Sequence, residues 1–294
     1  MLVIDDDDII KVHIHTNHPG EVLEEALKLG EMINIKIDNM KHQHKSIIDE
    51  APKPAYSEAV TLQGDVKKAK QVKPDKEFGF AAVCAGKGFS KILKDLGIDI
   101  VIEGGQTMNP STNDILKAVR KIKAKNIFVF PNNKNIIMAA EQAEKLADRK
   151  VLVLPTRTVP QGMTAMLNFD PEAAPEENAV NMMAAAEKVA TGLITYAARD
   201  SEFDGRPIRK GEIMALENGK IVATGSDITK MTYRLARSMK KKDSQFITVI
   251  SGAEVSEEDA EHTTELVQSK CGSSVEVSHI HGGQPVYYYM LSVE

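Results

Sequence analysis

Apolar residues along this chain gather in short unbroken runs, separated by longer stretches in which they recur every three or four positions. From Phe78 onward four runs, Phe80 to Val83, Ile98 to Ile102, Ile127 to Phe130 and Val151 to Leu154, read as buried strands. Three stretches between them, 88–96, 112–122 and 135–147, carry the helical period. Strands alternating with helices at this spacing predict a parallel sheet with helices on its faces. Ligands of such sheets sit beyond the carboxyl ends of the strands, where the connections diverge. The four strand ends here read Ala85-Gly86-Lys87-Gly88, Gly104 to Ser111, Pro131-Asn132-Asn133-Lys134 and Pro155-Thr156-Arg157-Thr158. All four are polar, small or Gly-rich, which predicts a crevice along one edge. Its candidate ligand-binding residues are Gly104, Gly105, Gln106, Thr107, Asn109 and Ser111 from the second loop, with Asn132, Asn133 and Thr156 from the third and fourth.

The second loop organises this region. The strand ends in the pair Gly104-Gly105, and Ser111 with Asp114 three residues on reads as a capping box opening a helix. The amides and positive dipole end of that helix would suit an anion. An ordinary strand-to-helix turn has the same local pattern, so both readings stand at this level.

Downstream, residues 160–192 turn helical around an acidic, Pro-containing loop at Asp170 to Glu177, and Leu193 to Ala197 reads as a strand. The segment 211–224 predicts a hairpin with Asn218-Gly219 as its type I′ turn. A helix over 227–239 ends in Lys240-Lys241-Lys242, a solvated complement to the helix dipole. Phe246 to Ile250, a helix over 256–270, Val275 to Ile280 and Val286 to Val293 predict a β-α-β-β unit, with Gly282-Gly283-Gln284-Pro285 turning its last two strands. Strand alternation would put two of Tyr287, Tyr288 and Tyr289 on one face and one on the other. Upstream, Leu2 to Ile4 and Ile9 to Ile14 form strands across the solvated turn Asp5 to Asp8; a helix then runs from Pro19 to Leu29, and Ile33, Ile35 and Ile37 resume a strand. The Pro- and Lys-rich stretch that follows reads as a linker. The boundaries predicted are 1–48, a linker at 49–77, an α/β subdomain at 78–200 and an α+β subdomain at 201–294.

Composition narrows the function. A length of 294 residues allows more than one core, and 42% hydrophobic with 27% charged residues is ordinary for a globular protein. A net charge of −5 gives no electrostatic footprint for nucleic acid. No run of 18 apolar residues and no signal peptide are present, and two cysteines, Cys84 and Cys271, make no disulfide framework; together these predict a cytoplasmic protein. His13 and His15 share one face of their strand, about 6.5 to 7 Å apart, so two imidazoles could hold one ion, but zinc needs at least one further protein ligand that the local sequence does not supply. His42 and His44 repeat the spacing in a polar, solvent-exposed segment. The strand-end loops hold no GxxxxGK[ST], Ala85 to Ser90 is too short for a dinucleotide fingerprint, and no GxSxG seats a serine nucleophile. Binding without chemistry suits the crevice better than catalysis.

Four stretches carry a resemblance, namely Lys11 to Asn17 with Pro19-Gly20, Ile35 to Met40, Glu103 to Ser111, and Gly283 to Tyr289. They lie in family order along nearly the whole chain, which resembles the C-terminal two-thirds of the bacterial dihydroxyacetone-kinase-like family, best known through the kinase subunit of fatty acid kinase. The resemblance implies an α/β fold, with a parallel-sheet three-layer domain of DegV/dihydroxyacetone-kinase-like type, a smaller α+β subdomain and a short N-terminal β-α-β remnant of the middle domain. In that family an N-terminal helical domain binds ATP and Mg²⁺ through an Asp-rich motif, a middle domain with a Cys and two His able to bind zinc contributes to phosphoryl transfer, and a C-terminal region docks a separate fatty-acid-binding, DegV-like protein for acyl-phosphate formation in phospholipid synthesis. By resemblance His13 and His15 are that histidine pair, as metal ligands and catalytic residues. The Asp-rich motif and the middle-domain Cys are missing from this sequence, and neither Cys84 nor Cys271 occupies that position. The chain is therefore expected to be a fragment or truncated product, inactive alone, with zinc short of its third ligand and ATP and Mg²⁺ reached only through the absent domain. A homodimer, a stand-alone small-molecule or lipid-binding protein, and a zinc hydrolase on His13 and His15 are the other readings.

Overall fold

The computed structural model describes residues 2–6, 9–14, 16–32, 35, 74–105, 109–203 and 205–294. The chain divides into two units, Met1–Lys70 and Gln71–Glu294. In the first, β1 (Leu2–Asp6) pairs antiparallel with β2 (Ile9–His13), and α1 (Pro19–Leu27) follows, with Pro19 in its first turn where no amide donor is needed. The strand predicted over Ile33 to Ile37 falls mostly outside the described residues, and Ile35, which is described, is in neither helix nor strand. Most of the predicted linker, with His42 and His44 before it, also lies outside them.

The second unit begins with four parallel strands in the order β4-β3-β5-β6, where β3 is Lys76–Cys84, β4 Ile100–Glu103, β5 Ala124–Phe130 and β6 Lys150–Val153. The central strands read as continuous apolar runs because both faces are covered. Phe80, Ala82, Phe128 and Phe130 pack on one side with α2 (Lys87–Asp95), α5 (Val159–Leu167) and α6 (Pro175–Ala186). Ala81, Val83, Ile127 and Val129 pack on the other with α3 (Thr112–Lys121) and α4 (Ile137–Leu146). The chain leaves β3 toward β4 and returns across β3 to β5, so the connections diverge between the carboxyl ends of β3 and β5.

Six further strands form a sheet of order β11-β10-β7-β14-β12-β13, antiparallel except for the parallel pair β12 (Phe246–Ser251) and β13 (Glu276–His281). Its other strands are β7 (Ala190–Tyr196), β10 (Ile213–Glu217), β11 (Lys220–Gly225) and β14 (Tyr287–Val293). The helices α7 (Ile228–Met239) and α8 (Glu257–Cys271) cover one face through Leu235, Ala236, Ala260 and Val267. Leu193, Ile250 and Met290 on the other face join the core that holds Phe80, Phe128 and helices α5 and α6. Among the described residues no helix is long and apolar enough to cross a membrane.

Several local expectations change here. β7 belongs to the second sheet, so that sheet starts at Ala190 and not after residue 200; its partner β14 lies about ninety residues downstream, beyond the reach of a local pattern. Gly282 to Pro285 does not make a hairpin, because β12 lies between β13 and β14 and the loop crosses its end. The tyrosine alternation is broken by a register shift between Tyr287 and Tyr289, which leaves Tyr287 at the first core and both Tyr288 and Tyr289 at the α7–α8 core. β8 (Ser201–Phe203) and β9 (Arg206–Ile208) are too short to show a period. Lys240 is not simply solvated, since its ammonium donates to the Cys271 carbonyl and the Ser274 hydroxyl at the end of α8. Asn218 and Gly219 both take positive φ, 48° and 82°, as a type I′ turn requires.

Two buried groups can be tested. The Tyr289 hydroxyl, inside the second core, donates toward the Asp259 carbonyl and Thr263 Oγ1, each at 3.0 Å. Tyr289→Phe removes this buried hydrogen bonding and should lower denaturant stability by about 0.5 to 1.5 kcal/mol. Burial, with Glu103 nearby, pushes the Cys84 thiol up to about 12. At pH 8 it stays protonated and should resist iodoacetamide until the protein unfolds. Because the unfolded thiol ionises near its ordinary value and the folded one does not, stability should fall as pH rises from about 9 toward 12.

Candidate functional site

The crevice forms where the connections of the parallel sheet diverge. From β3 the chain passes through Ala85 and Gly86, and Gly86 (φ 110°) is the residue before α2. The loop after β13 is seated directly on this helix start, with the Phe89 amide donating to the Gly282 carbonyl at 2.9 Å. Only glycine permits that approach, because a Cβ on Gly88 would lie 1.9 Å from the His281 carbonyl oxygen. Gly104 extends the sheet edge by donating to the Cys84 carbonyl at 3.0 Å, and Gly105 (φ 142°) turns the chain away.

Asn132 ties three strand ends together. It takes a left-handed conformation (φ 52°), which asparagine tolerates. Its side-chain amide donates to the Val83 carbonyl at 3.0 Å, and its backbone amide donates to Thr156 Oγ1 at 3.2 Å. The Thr156 hydroxyl in turn donates to Asn132 Oδ1 at 2.8 Å. Both residues are buried, so the network is worth more than its exposed equivalent. Asn133 Oδ1 accepts from the Asn135 amide at 2.9 Å and fixes the turn into α4.

The resulting cavity measures about 330 Å³ out to its open mouth. Val83, Cys84, Phe89, Val159 and Met290 form its apolar wall, and Gly104, Gly105, Asn132 and Asn133 its polar rim. Gln284 and Tyr287 close the side nearest the second sheet. Burial pushes the Tyr287 phenol up to about 12, so it stays neutral. Gln284 is 2% exposed; its Nε2 donates to the Ile250 carbonyl at 3.3 Å, while its Oε1 has no donor among the described residues.

The sequence-derived candidates thus separate. Gly104, Gly105, Asn132 and Asn133 line one cavity, with Thr156 braced against Asn132. Asn109 is exposed and Ser111 caps α3; neither lines the cavity. Gln106 and Thr107 lie outside the described residues. The anion expected at the start of α3 is opposed by Asp114, whose carboxylate accepts from the Ser111 amide at 2.9 Å and its hydroxyl at 2.6 Å. The start of α2 is likewise closed by the Gly282 carbonyl, and among the described residues no Lys or Arg lines the cavity. The sequence pattern puts Gln284 only in a turn; nothing local marks a glutamine that meets Cys84 and Ile250 through the tertiary fold.

His13 ends β2 in the first unit and His15 lies outside the described residues. Among the described residues no three of His, Cys, Asp and Glu converge to hold a metal. Ser251 stands between His281 Nδ1 at 3.1 Å and His279 Nε2 at 3.0 Å, but its own burial is complete, which denies a substrate access to the hydroxyl. Burial and the neighbouring His281 hold His279 below the usual imidazole range.

The fold has counterparts among known proteins. A DegV family protein of Corynebacterium glutamicum is 15% identical, with a TM-score of 0.54 over 74% of this chain and 96% of its own. A DegV family protein of Thermus thermophilus, described for fatty acid binding, is 12% identical, with a TM-score of 0.54 over 74% of this chain and 99% of its own. At such identity the likeness is one of fold alone. Protein YloV of Bacillus subtilis is 42% identical over all 294 residues, which cover 51% of its length. The chain spans about half the length of the curated relatives it matches. Residues 1–47 match the middle domain and residues 79–294 the C-terminal region of the FakA-like fatty acid kinase proteins, so the chain belongs to the FakA-like fatty acid kinase family.

Proposed function

We propose that this chain is the non-nucleotide-binding portion of a fatty acid kinase, and that residues 78–294 dock a separate DegV-like protein that carries the acyl chain for acyl-phosphate formation. The observation that carries this reading is a mismatch between family and crevice. A fatty acid brings a carboxylate and a long apolar tail. Among the described residues the crevice offers no lining cation, and amides at the starts of α2 and α3 are already taken by the Gly282 carbonyl and the Ser111–Asp114 box. A family member built in this way would act on a fatty acid held by another protein. Phosphoryl transfer depends on positioned Mg²⁺ and a phosphate cradle, which this reading assigns to a segment outside the chain.

Zinc belongs to the same proposal. His13 and His15 would supply two imidazoles of a tetrahedral site and require the middle-domain cysteine to complete it. The purified chain should therefore retain little zinc, and adding the upstream segment with its Cys should raise the bound metal in a way that His13→Ala reverses. Equal zinc content with and without that segment would remove His13 and His15 from the site.

Docking can be measured by calorimetry with an acyl-loaded DegV-like protein from the same organism. Complex formation is expected, and an absence of binding would sink the proposal. Gly105→Val is a poor probe because φ 142° strains any other residue there, whatever the loop does. Asn109→Arg changes an exposed residue beside the crevice and should leave the melting temperature within about 2 °C. If this edge is the docking face, the variant should bind at least about tenfold more weakly.

A further inference from the structure

We propose that an open depression between α7 and α8, lined by Tyr233, Arg234, Arg237, Ser238 and Lys270, binds a phosphate group, carried on a soluble ligand or on an anionic lipid headgroup. It lies on the helical face of the six-stranded sheet, among residues that take no part in the crevice, and does not rest on the docking of a partner.

The sequence concentrates positive charge here. Between Ile228 and Lys242 there are six cations and no acid, in a chain whose net charge is −5. The helical period turns Met231, Leu235, Ala236 and Met239 into the core and sets Lys230, Arg234 and Arg237, at i, i+4 and i+7, along the outer stripe of α7. The helix α8 lies alongside, with the Thr229 and Thr263 hydroxyls 3.1 Å apart and the Lys240 ammonium donating to the Cys271 carbonyl at 2.6 Å. That packing brings Lys270 to α7, where its ammonium stands 5.9 Å from the centroid of the Tyr233 ring. The depression thus gathers two guanidinium groups and an ammonium from two helices.

Cations in the last turn of a helix commonly offset its dipole, and Arg237 and Lys270 hold such positions. The end of α8 is already served by Lys240, however, and Arg234 lies in the middle of α7. Among the described residues no Asp or Glu lines the depression, and no ion pair involves Arg234, Arg237 or Lys270. Like charges at i, i+3 on a helix oppose folding, a cost that a bound anion removes. The chemistry of the lining selects the anion. Guanidinium forks match the oxygens of a phosphate, and a phosphate dianion answers more than one cation where a carboxylate answers one. The Ser238 hydroxyl donates to the Leu235 carbonyl at 2.9 Å, which leaves recognition to the cations and Tyr233. A fatty acid tail would find only the Tyr233 ring to pack on.

Two probes distinguish the sources of phosphate. Inorganic phosphate, titrated into the ¹⁵N-labelled chain, should shift the backbone amides of Arg234, Arg237 and Lys270 at least about fivefold more tightly than acetate at equal ionic strength if the ligand is soluble. Phosphatidylcholine vesicles containing phosphatidylglycerol should sediment the chain, and pure phosphatidylcholine vesicles should not, if the phosphate belongs to a lipid. Arg234→Gln with Arg237→Gln changes two exposed side chains and should weaken the responding probe at least about tenfold. Lys121→Gln with Lys123→Gln removes the same charge from exposed positions elsewhere and should leave binding unchanged. Lys270→Gln, on the other helix, tests the site independently if the double arginine variant does not fold. A response to either probe that follows this pattern supports the site and names its source. No response to either probe, acetate binding as well as phosphate without vesicle binding, or equal losses in the arginine and control variants would overturn the proposal.

Discussion

The hydrogen bond from the Phe89 amide to the Gly282 carbonyl is the contact on which the architecture of the larger unit turns. It joins the first helix of the parallel sheet to the loop that crosses the end of β12 in the six-stranded sheet. Gly86, Gly88 and Gly282 make the approach geometrically available, since a Cβ at each would lie 2.6, 1.9 and 2.2 Å from its nearest atom. The contact satisfies an orphan amide at the helix start and at the same time removes that amide from any ligand. One wall of the crevice is therefore made of the second sheet, and Gln284 enters the first sheet's site only because this loop is held there.

The polar interior follows from the same pairing of backbone groups. Asn132, Thr156 and Val83 satisfy one another across three strand ends, and Ser111 with Asp114 satisfies the start of α3. Among the buried side-chain polar atoms of the described residues, the one left without a partner is a neutral acceptor, Gln284 Oε1. The electrostatic character of the crevice is thus set by what its helix ends have already bound. A strand-to-helix loop with free amides would favour anions, whereas this one, closed by a carboxylate and a carbonyl, does not.

The curated relatives are about twice the length of this chain, and the match covers all of it. The fold shared with DegV family proteins explains why a crevice exists at this edge; it does not by itself say what enters it.

The sequence by itself determined the elements whose apolar period is strong. The runs over β3, β4, β5 and β6 with the helices between them, the Ser111–Asp114 cap and the Asn218-Gly219 turn were legible because each depends on residues within a few positions of one another. The strand-end rule also brought Gly104, Gly105, Asn132 and Asn133 to one edge, since parallel βαβ units leave their loops on the same side. Only the tertiary structure decided that β7 pairs with β14, that a register shift sends Tyr288 and Tyr289 to the same core, and that Gln284 closes the crevice. Each of those depends on pairings between segments about thirty to two hundred residues apart, where local periodicity carries no information about the partner. The choice at α3 between an anion site and an ordinary turn was open in the sequence for a related reason. The pattern identified the capping box correctly, but whether its amides face a ligand or their own carboxylate is a matter of side-chain placement in three dimensions.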